Sequence, residues 1–159
     1  MDELLKILKA NALESVENIA KMLDCAEDDV RERIAAYERQ GVIKGYQAIV
    51  NEDILKMEAV TAVIEVRVSP EREGGFNDIA SRISKFAEVQ SVYLMSGDFD
   101  LLLFVVGRDL KDVAFFVSEK LATIDGVNGT ATHFMLKTYK HHGVLMESQD
   151  KYERLKISP

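Results

Sequence analysis

Near residue 44 the spacing of apolar residues changes from three-and-four to two, so the chain has to hold a helical part followed by a part built around strands. Before the change Leu4, Leu5 and Leu8, then Val16, Ile19, Ala20 and Leu23, then Val30, Ile34 and Tyr37 recur at helical spacing. This predicts three short helices. Asp2 and Glu3 suit the start of the first and Asn11 its end, Ser15 is a good N-cap for the second with Glu17 near the positive end of its dipole, and Gly41 stops the third. The two prolines, Pro70 and Pro159, mark no linker, so the boundary comes from the period alone.

After Gly41, residues 42–50 read as a connecting strand, and Val60, Ala62, Ile64, Val66 and Val68 alternate with Thr61, Val63, Glu65 and Arg67 as a half-buried strand does. Pro70 ends that strand. Phe76, Ile79, Ala80 and Ile83 give a helix, residues 89–95 a strand, Ser96-Gly97-Asp98 a turn and residues 99–106 a second strand. Asp109 caps a helix whose inward stripe is Val113, Phe116, Val117, Lys120, Leu121 and Ile124, with Gly126 as its stop. A last strand is expected over residues 127–139. The order from residue 59 is βαββαβ, the split βαβ or ferredoxin-like plan, with two helices on one face of a four-stranded antiparallel sheet. The whole is therefore an α+β chain.

The run Leu101-Leu102-Leu103-Phe104-Val105-Val106 is apolar without alternation, which a strand with one wet face should not be. Three of its side chains point away from the helices, and leaving each in water forgoes about 1.5 to 3 kcal/mol. Val63 and Leu94 are expected to add to this patch. Either a second subunit covers the face or the C-terminal tail, with Tyr152 and Leu155 among charges, folds back over it; self-association is the expectation.

The formal charge of −7 argues against a general affinity for phosphate, so a nucleic-acid interface needs a local basic patch. One cysteine, Cys25, excludes an internal disulfide and fits a reducing compartment. No basic segment and no uninterrupted apolar run precede residue 30, so neither a signal peptide nor a membrane span is expected and the chain reads as cytoplasmic.

Three segments resemble the Lrp/AsnC family, the feast/famine transcriptional regulators. They are Tyr37-Glu38-Arg39-Gln40-Gly41-Val42-Ile43-Lys44-Gly45-Tyr46, Ser96-Gly97-Asp98-Phe99-Asp100-Leu101 and Thr130-Ala131-Thr132-His133-Phe134, and the likeness runs from Leu4 to about Gly143. It implies an N-terminal winged-type helix-turn-helix head over residues 1–45 that binds DNA and a hinge strand and linker over 46–58. A ferredoxin-like ligand-binding and oligomerisation domain over 59–143 and a C-terminal tail over 144–159 complete the plan. The implied partners are a palindromic promoter, a small effector of the amino-acid type bound between dimers, and further copies of the chain, as a homodimer assembling to a higher oligomer such as an octamer. No cofactor and no membrane are implied.

In such a head the second helix braces the third, whose N-terminal residues enter the major groove. A glycine common in the family's turn is Asp24 here, a residue that tolerates left-handed backbone, and the usual Ser cap of the recognition helix is Ala26. Projection at 3.6 residues per turn puts Val30, Ile34 and Tyr37 inward and Asp28, Glu32, Ala35 and Arg39 outward, with Arg31 and Arg33 on either side. The candidate DNA contacts are Glu27, Asp28, Arg31, Glu32, Arg33, Arg39 and Lys44. Carboxylates accept from cytosine N4 but repel phosphate, and the head through residue 50 has 7 basic and 10 acidic residues. Two readings stay open: a DNA-binding regulator, or an oligomeric sensor or modulator whose acidic head has weak or no DNA affinity. Alternatively, Glu27, Asp28 and Asp29 only complement the helix dipole.

The candidate effector residues are Ser96, Gly97, Asp98, Phe99 and Asp100, where turn amides can hold a carboxylate and a side-chain carboxylate an ammonium, together with Thr130 and Thr132, two apart on one face of the last strand. Ordinary hairpin and strand chemistry explains the same residues. Metal binding is not expected: besides His133 the histidines are His141 and His142, which would point to opposite faces of a strand, and Cys25 lies in a distant segment. No nucleophile elbow, P-loop or H-E-x-x-H occurs, and Gly74-Gly75 is too short to cradle a phosphate, so no enzyme is expected.

Overall fold

A computed structural model of the chain describes residues 1–55, 59–69 and 75–146. The chain divides into two compact units, Met1–Val50 and Asn51–Pro159. The expected strand end at Pro70, the Gly74 half of the Gly-Gly pair, and Tyr152 and Leu155 of the tail lie outside the described residues.

In the first unit α1 (Glu3–Ala10), α2 (Val16–Leu23) and α3 (Glu27–Arg39) close around Leu4, Ile19, Ala20 and Val30, with Ile34 and Tyr37 packed against them. Each boundary has a local cause. Asp2 accepts from the Leu4 amide, and Ser15 Oγ accepts from Asn18 N–H at 3.1 Å. The α2–α3 turn, Asp24, Cys25 and Ala26, reverses at one left-handed residue, Asp24, at φ 50 and ψ 51. Gly41 ends α3 at φ +68, where its amide donates to Glu38 O (3.0 Å) and that of Val42 to Tyr37 O (2.9 Å), a Schellman closure.

Residues 1–50 contain no strand. The connecting strand expected over residues 42–50 is not formed within one chain, and the head carries no β wing. A strand needs a hydrogen-bonding neighbour, and this exposed segment has none within its own unit.

The second unit opens on a short helix, α4 (Glu52–Leu55), that periodicity does not announce. There follow β1 (Val60–Val68), α5 (Gly75–Ile83), β2 (Val89–Leu94), β3 (Leu101–Gly107), α6 (Leu110–Phe115) and β4 (Val127–Phe134). The sheet is antiparallel in the order β2-β3-β1-β4, so the ferredoxin-like plan is the observed one. α6, capped by Asp109, runs on into a wider turn over Phe116–Leu121 with π-type bonding, as in Ala122 N–H to Val117 O at 2.8 Å. Val113, Phe116, Leu121 and Ile124 are buried from this segment, whereas Lys120 turns to the margin, where it pairs with Glu88 and lies over the Phe86 ring. Gly126, at φ +89, has no room for a side chain: a Cβ would stand 2.8 Å from Ile79 Cδ1 and 3.1 Å from Ser69 O.

Two strand boundaries differ from expectation by two residues or more. β3 begins at Leu101 rather than residue 99, because Asp100 is held by β1 through its amide and its carboxylate. The last strand stops at Phe134 instead of residue 139. Its partner β1 runs out there, with Phe134 opposite Ala62 and Met135 N–H making a final bond to Thr61 O at 2.9 Å. The chain then forms a two-stranded ribbon of β5 (Lys140–His141) and β6 (Val144–Leu145). His142 takes φ 46 in its turn, which brings the His141 and His142 rings to 4.2 Å between centroids rather than to opposite faces.

β3 sorts its apolar run by alternation. Leu101, Leu103 and Val105 are buried under the helices, while Leu102, Phe104 and Val106 lie on the far side of the sheet. Val63, opposite Phe104, joins them, as does Tyr93, whose ring meets Phe104 edge-on at 6.1 Å. Leu94 does not: it is opposite Leu101, on the helix side, and 62% exposed at the strand end. Glu65 and His133 share the far face, with His133 Nε2 3.3 Å from Glu65 Oε1.

Candidate functional site

α3 presents Glu27, Asp28, Arg31, Glu32 and Arg39 to solvent, with Ala35 half-buried. Its first turn has no side-chain cap, because Ala26 offers no acceptor. Three acidic residues complement that helix end, and two of them also hold Arg31: Nη2 lies 2.8 Å from Glu27 Oε2 and Nη1 3.1 Å from Asp28 Oδ1. Glu27, then Asp28, keep the Arg31 guanidinium more firmly protonated than usual.

Arg33 is drawn the other way. Its Nη2 lies 2.8 Å from both oxygens of Asp2, and the Tyr37 hydroxyl donates to the same carboxylate. Tyr37 first, and Arg33 second, hold the Asp2 carboxyl at about 2. Thus Arg33 braces α3 against the start of α1. Of the seven Lys and Arg through residue 50, Lys6, Lys21, Arg31 and Arg33 already face carboxylates of the head. Among the described residues Lys9, Arg39 and Lys44 do not.

The second candidate lies at the turn between β2 and β3. Ser96, Gly97 and Asp98 are exposed, Phe99 and Asp100 half-buried, and Gly97 stands at φ +130. The two carboxylates differ in what they are free to do. Asp100 Oδ2 accepts from Val68 N–H at 2.8 Å and the Asp100 amide donates to Val66 O at 3.0 Å, so this residue straps the turn to β1. Asp98 uses its backbone carbonyl instead, accepting from Arg67 Nε at 3.1 Å, and its carboxylate stays open among the described residues.

Thr130 and Thr132 face the helix side of the sheet, opposite Val66 and Ile64 on the edge strand β4. Thr130 comes to the same end of the sheet as the turn, two strand spacings or about 10 Å across, whereas Thr132 lies further along the strand. Arg67, on the opposite face and touching the turn, was not singled out from sequence. Its signal was strand alternation: a charge between buried Val66 and Val68 has to stand on the far face. Among the described residues no cluster of three or more His, Cys, Asp or Glu could hold a metal, and no helix is long and apolar enough to cross a membrane.

Two short helices joined by a left-handed turn, the second offering its exposed face, form a helix-turn-helix. A chain that carries this head together with a ferredoxin-like domain is built as a DNA-binding regulator. Residues 61–145 match the Lrp/AsnC ligand binding domain. The chain is 44% identical over 158 residues to the uncharacterized HTH-type transcriptional regulator YugG of Bacillus subtilis, covering 99% of this chain and 95% of that protein. With the HTH-type transcriptional regulator LrpA of Pyrococcus horikoshii it shares 33% identity, over 86% of this chain and 94% of the relative. Among solved structures, an AsnC family transcriptional regulator from Agrobacterium tumefaciens is 26% identical with a TM-score of 0.67, covering 96% and 99% of the two chains. A fold neighbour from Neisseria meningitidis, transcriptional regulator NMB0573 in complex with L-Met, has a TM-score of 0.69 at 23% identity over 89% and 93% of the chains. The chain belongs to the Lrp/AsnC family and is a transcriptional regulator, not an enzyme.

Proposed function

We propose that the protein acts in the cytoplasm as a homodimer, assembled further into an oligomer such as an octamer, that sets pairs of heads on a palindromic promoter and adjusts its grip when an amino acid binds between dimers. The observation that carries this reading is the apolar far face of the sheet, where Val63, Leu102, Phe104 and Val106 stay partly exposed side by side and a second surface completes their burial. A second copy supplies it, and an isologous pairing doubles every contact and brings two heads together.

In this reading the first turns of α3, with Glu27, Asp28, Arg31 and Glu32, approach the bases while Arg39 and Lys44 meet phosphates, and Arg33 keeps the helix in place through Asp2. The effector sits at the turn of Ser96, Gly97 and Asp98, with Asp98 taking its ammonium, Phe99 and Asp100 fixing the turn, and Thr130 and Thr132 approached from the helix side. The N. meningitidis neighbour was crystallised with L-Met, which supports an amino acid as the ligand class.

Mobility-shift titration on the promoter of the protein's own operon, with and without each of the twenty amino acids, is the test. A specific shift that at least one amino acid alters is expected. Absence of any specific shift at low salt, with the oligomer intact, favours the second reading, a sensor or modulator with a weak head. The pairing of four of its seven cations to its own carboxylates is the observation behind that reading.

A further inference from the structure

Two polar side chains border the apolar far face of the sheet. Glu65 lies opposite Leu102 on β3 and two residues on from Val63, while His133 lies opposite Val63 on β4. They meet on the diagonal, His133 Nε2 3.3 Å from Glu65 Oε1, with the Glu65 side chain 36% exposed and that of His133 60%. A surface that seals Val63 and Leu102 therefore takes Glu65 out of water with them. A carboxylate moved out of water is costly unless a cation meets it. On this face β3 offers only Leu102, Phe104 and Val106, and β2 offers Ser91 and Tyr93, a phenol rather than a charge. Arg67 on β1 is turned to Asp98 O at 3.1 Å and forms no ion pair among the described residues. A second copy brings the same set again. The charge on His133 thus decides whether Glu65 is sealed in as a lone anion or as half of an ion pair.

We infer that His133 and Glu65 make the dimer pH-dependent: association takes up protons at His133, so two copies hold most tightly when the imidazole is charged. The associated state binds more protons than the separate chains, and affinity therefore falls as the pH rises through the range in which imidazoles titrate, about pH 5 to 8. This rests on the homodimer reading above and adds its regulation, since whatever loosens the sheet-to-sheet contact also separates the paired heads.

Light scattering of the full chain over a dilution series, at constant ionic strength and at about pH 8 and about pH 6, reads the dissociation constant on either side of the histidine range. A Phe104→Ala background brings dissociation into range where the wild type holds too tightly. The constant is expected to be about tenfold or more smaller at the lower pH, with one proton linked per subunit. His133→Gln flattens this dependence, and Glu65→Gln reverses it, because a charged imidazole is then sealed in without its carboxylate. Circular dichroism establishes that the variants are folded. A dimer equally tight at both pH values overturns the inference and leaves the homodimer reading standing. So does a pH dependence that survives His133→Gln or that is lost with His141→Gln and His142→Gln instead. A chain that stays monomeric at every pH and concentration takes down the homodimer reading and this inference with it.

Discussion

Replacing Phe104 tests the covered face most sharply. Its side chain projects from the centre of β3, away from the buried Leu103 and Val105, between Val63 on β1 and the edge-on ring of Tyr93 on β2. Full burial of a phenylalanine is worth about 1.5 to 3 kcal/mol, and the chain already covers about two thirds or more of this one, so a partner surface adds about 0.5 to 1 kcal/mol per subunit. A two-fold interface counts that twice. Phe104→Ala therefore weakens the dimer by about 1 to 2 kcal/mol, roughly 5- to 30-fold in dissociation constant. Phe104→Asp goes further, because two unpaired carboxylates would have to be buried. Light scattering across a concentration series reads the mass, and circular dichroism shows that the monomer keeps its fold, since the helix-side core of Leu101, Leu103 and Val105 is untouched. If Phe104→Asp gives the same mass as wild type at every concentration, this face is not the interface.

Three further perturbations separate roles that the structure assigns. Glu27→Gln with Asp28→Asn frees Arg31 and removes two negative charges from the recognition helix, so promoter affinity rises and the log-log salt slope steepens by about 0.9 for each added phosphate contact. Asp2 is held at about 2 against an ordinary 3.8, so its contribution to the head is complete above about pH 4 and is lost as the pH falls toward 2. Asp2→Asn removes that dependence, as followed by NMR of the Val30 methyl groups in the head core. Asp100→Ala strips the acceptor from the Val68 amide and lowers stability by about 1 to 3 kcal/mol in thermal denaturation, whereas Asp98→Asn leaves the melting curve in place but abolishes the shift produced by an amino acid.

What was legible in the sequence was whatever is decided within a few residues. Ser15, Asp24 and Gly41 act through their own backbone and the next turn, and the alternation of β1 follows from a period of two. Pairings between distant segments were not legible. That Arg33 belongs to Asp2 depends on how α1 and α3 cross, and that Asp100 is spent on Val68 depends on the β3 to β1 register. The β1 to β4 register, likewise, turns Thr130 and Thr132 toward the helix layer. Residues 42–50 carry the apolar pattern of a strand, but pattern alone supplies no ladder partner.

The salt dependence of promoter binding bears most directly on the central claim that paired heads grip DNA. With Arg39 and Lys44 of two heads on phosphates, the logarithm of the affinity falls against that of salt with a slope of about 3.6, twice the value of about 1.8 for one head. A specific complex with the steeper slope is the predicted result. A complex with the slope of a single head, or no specific complex in low salt with the oligomer intact, contradicts the account.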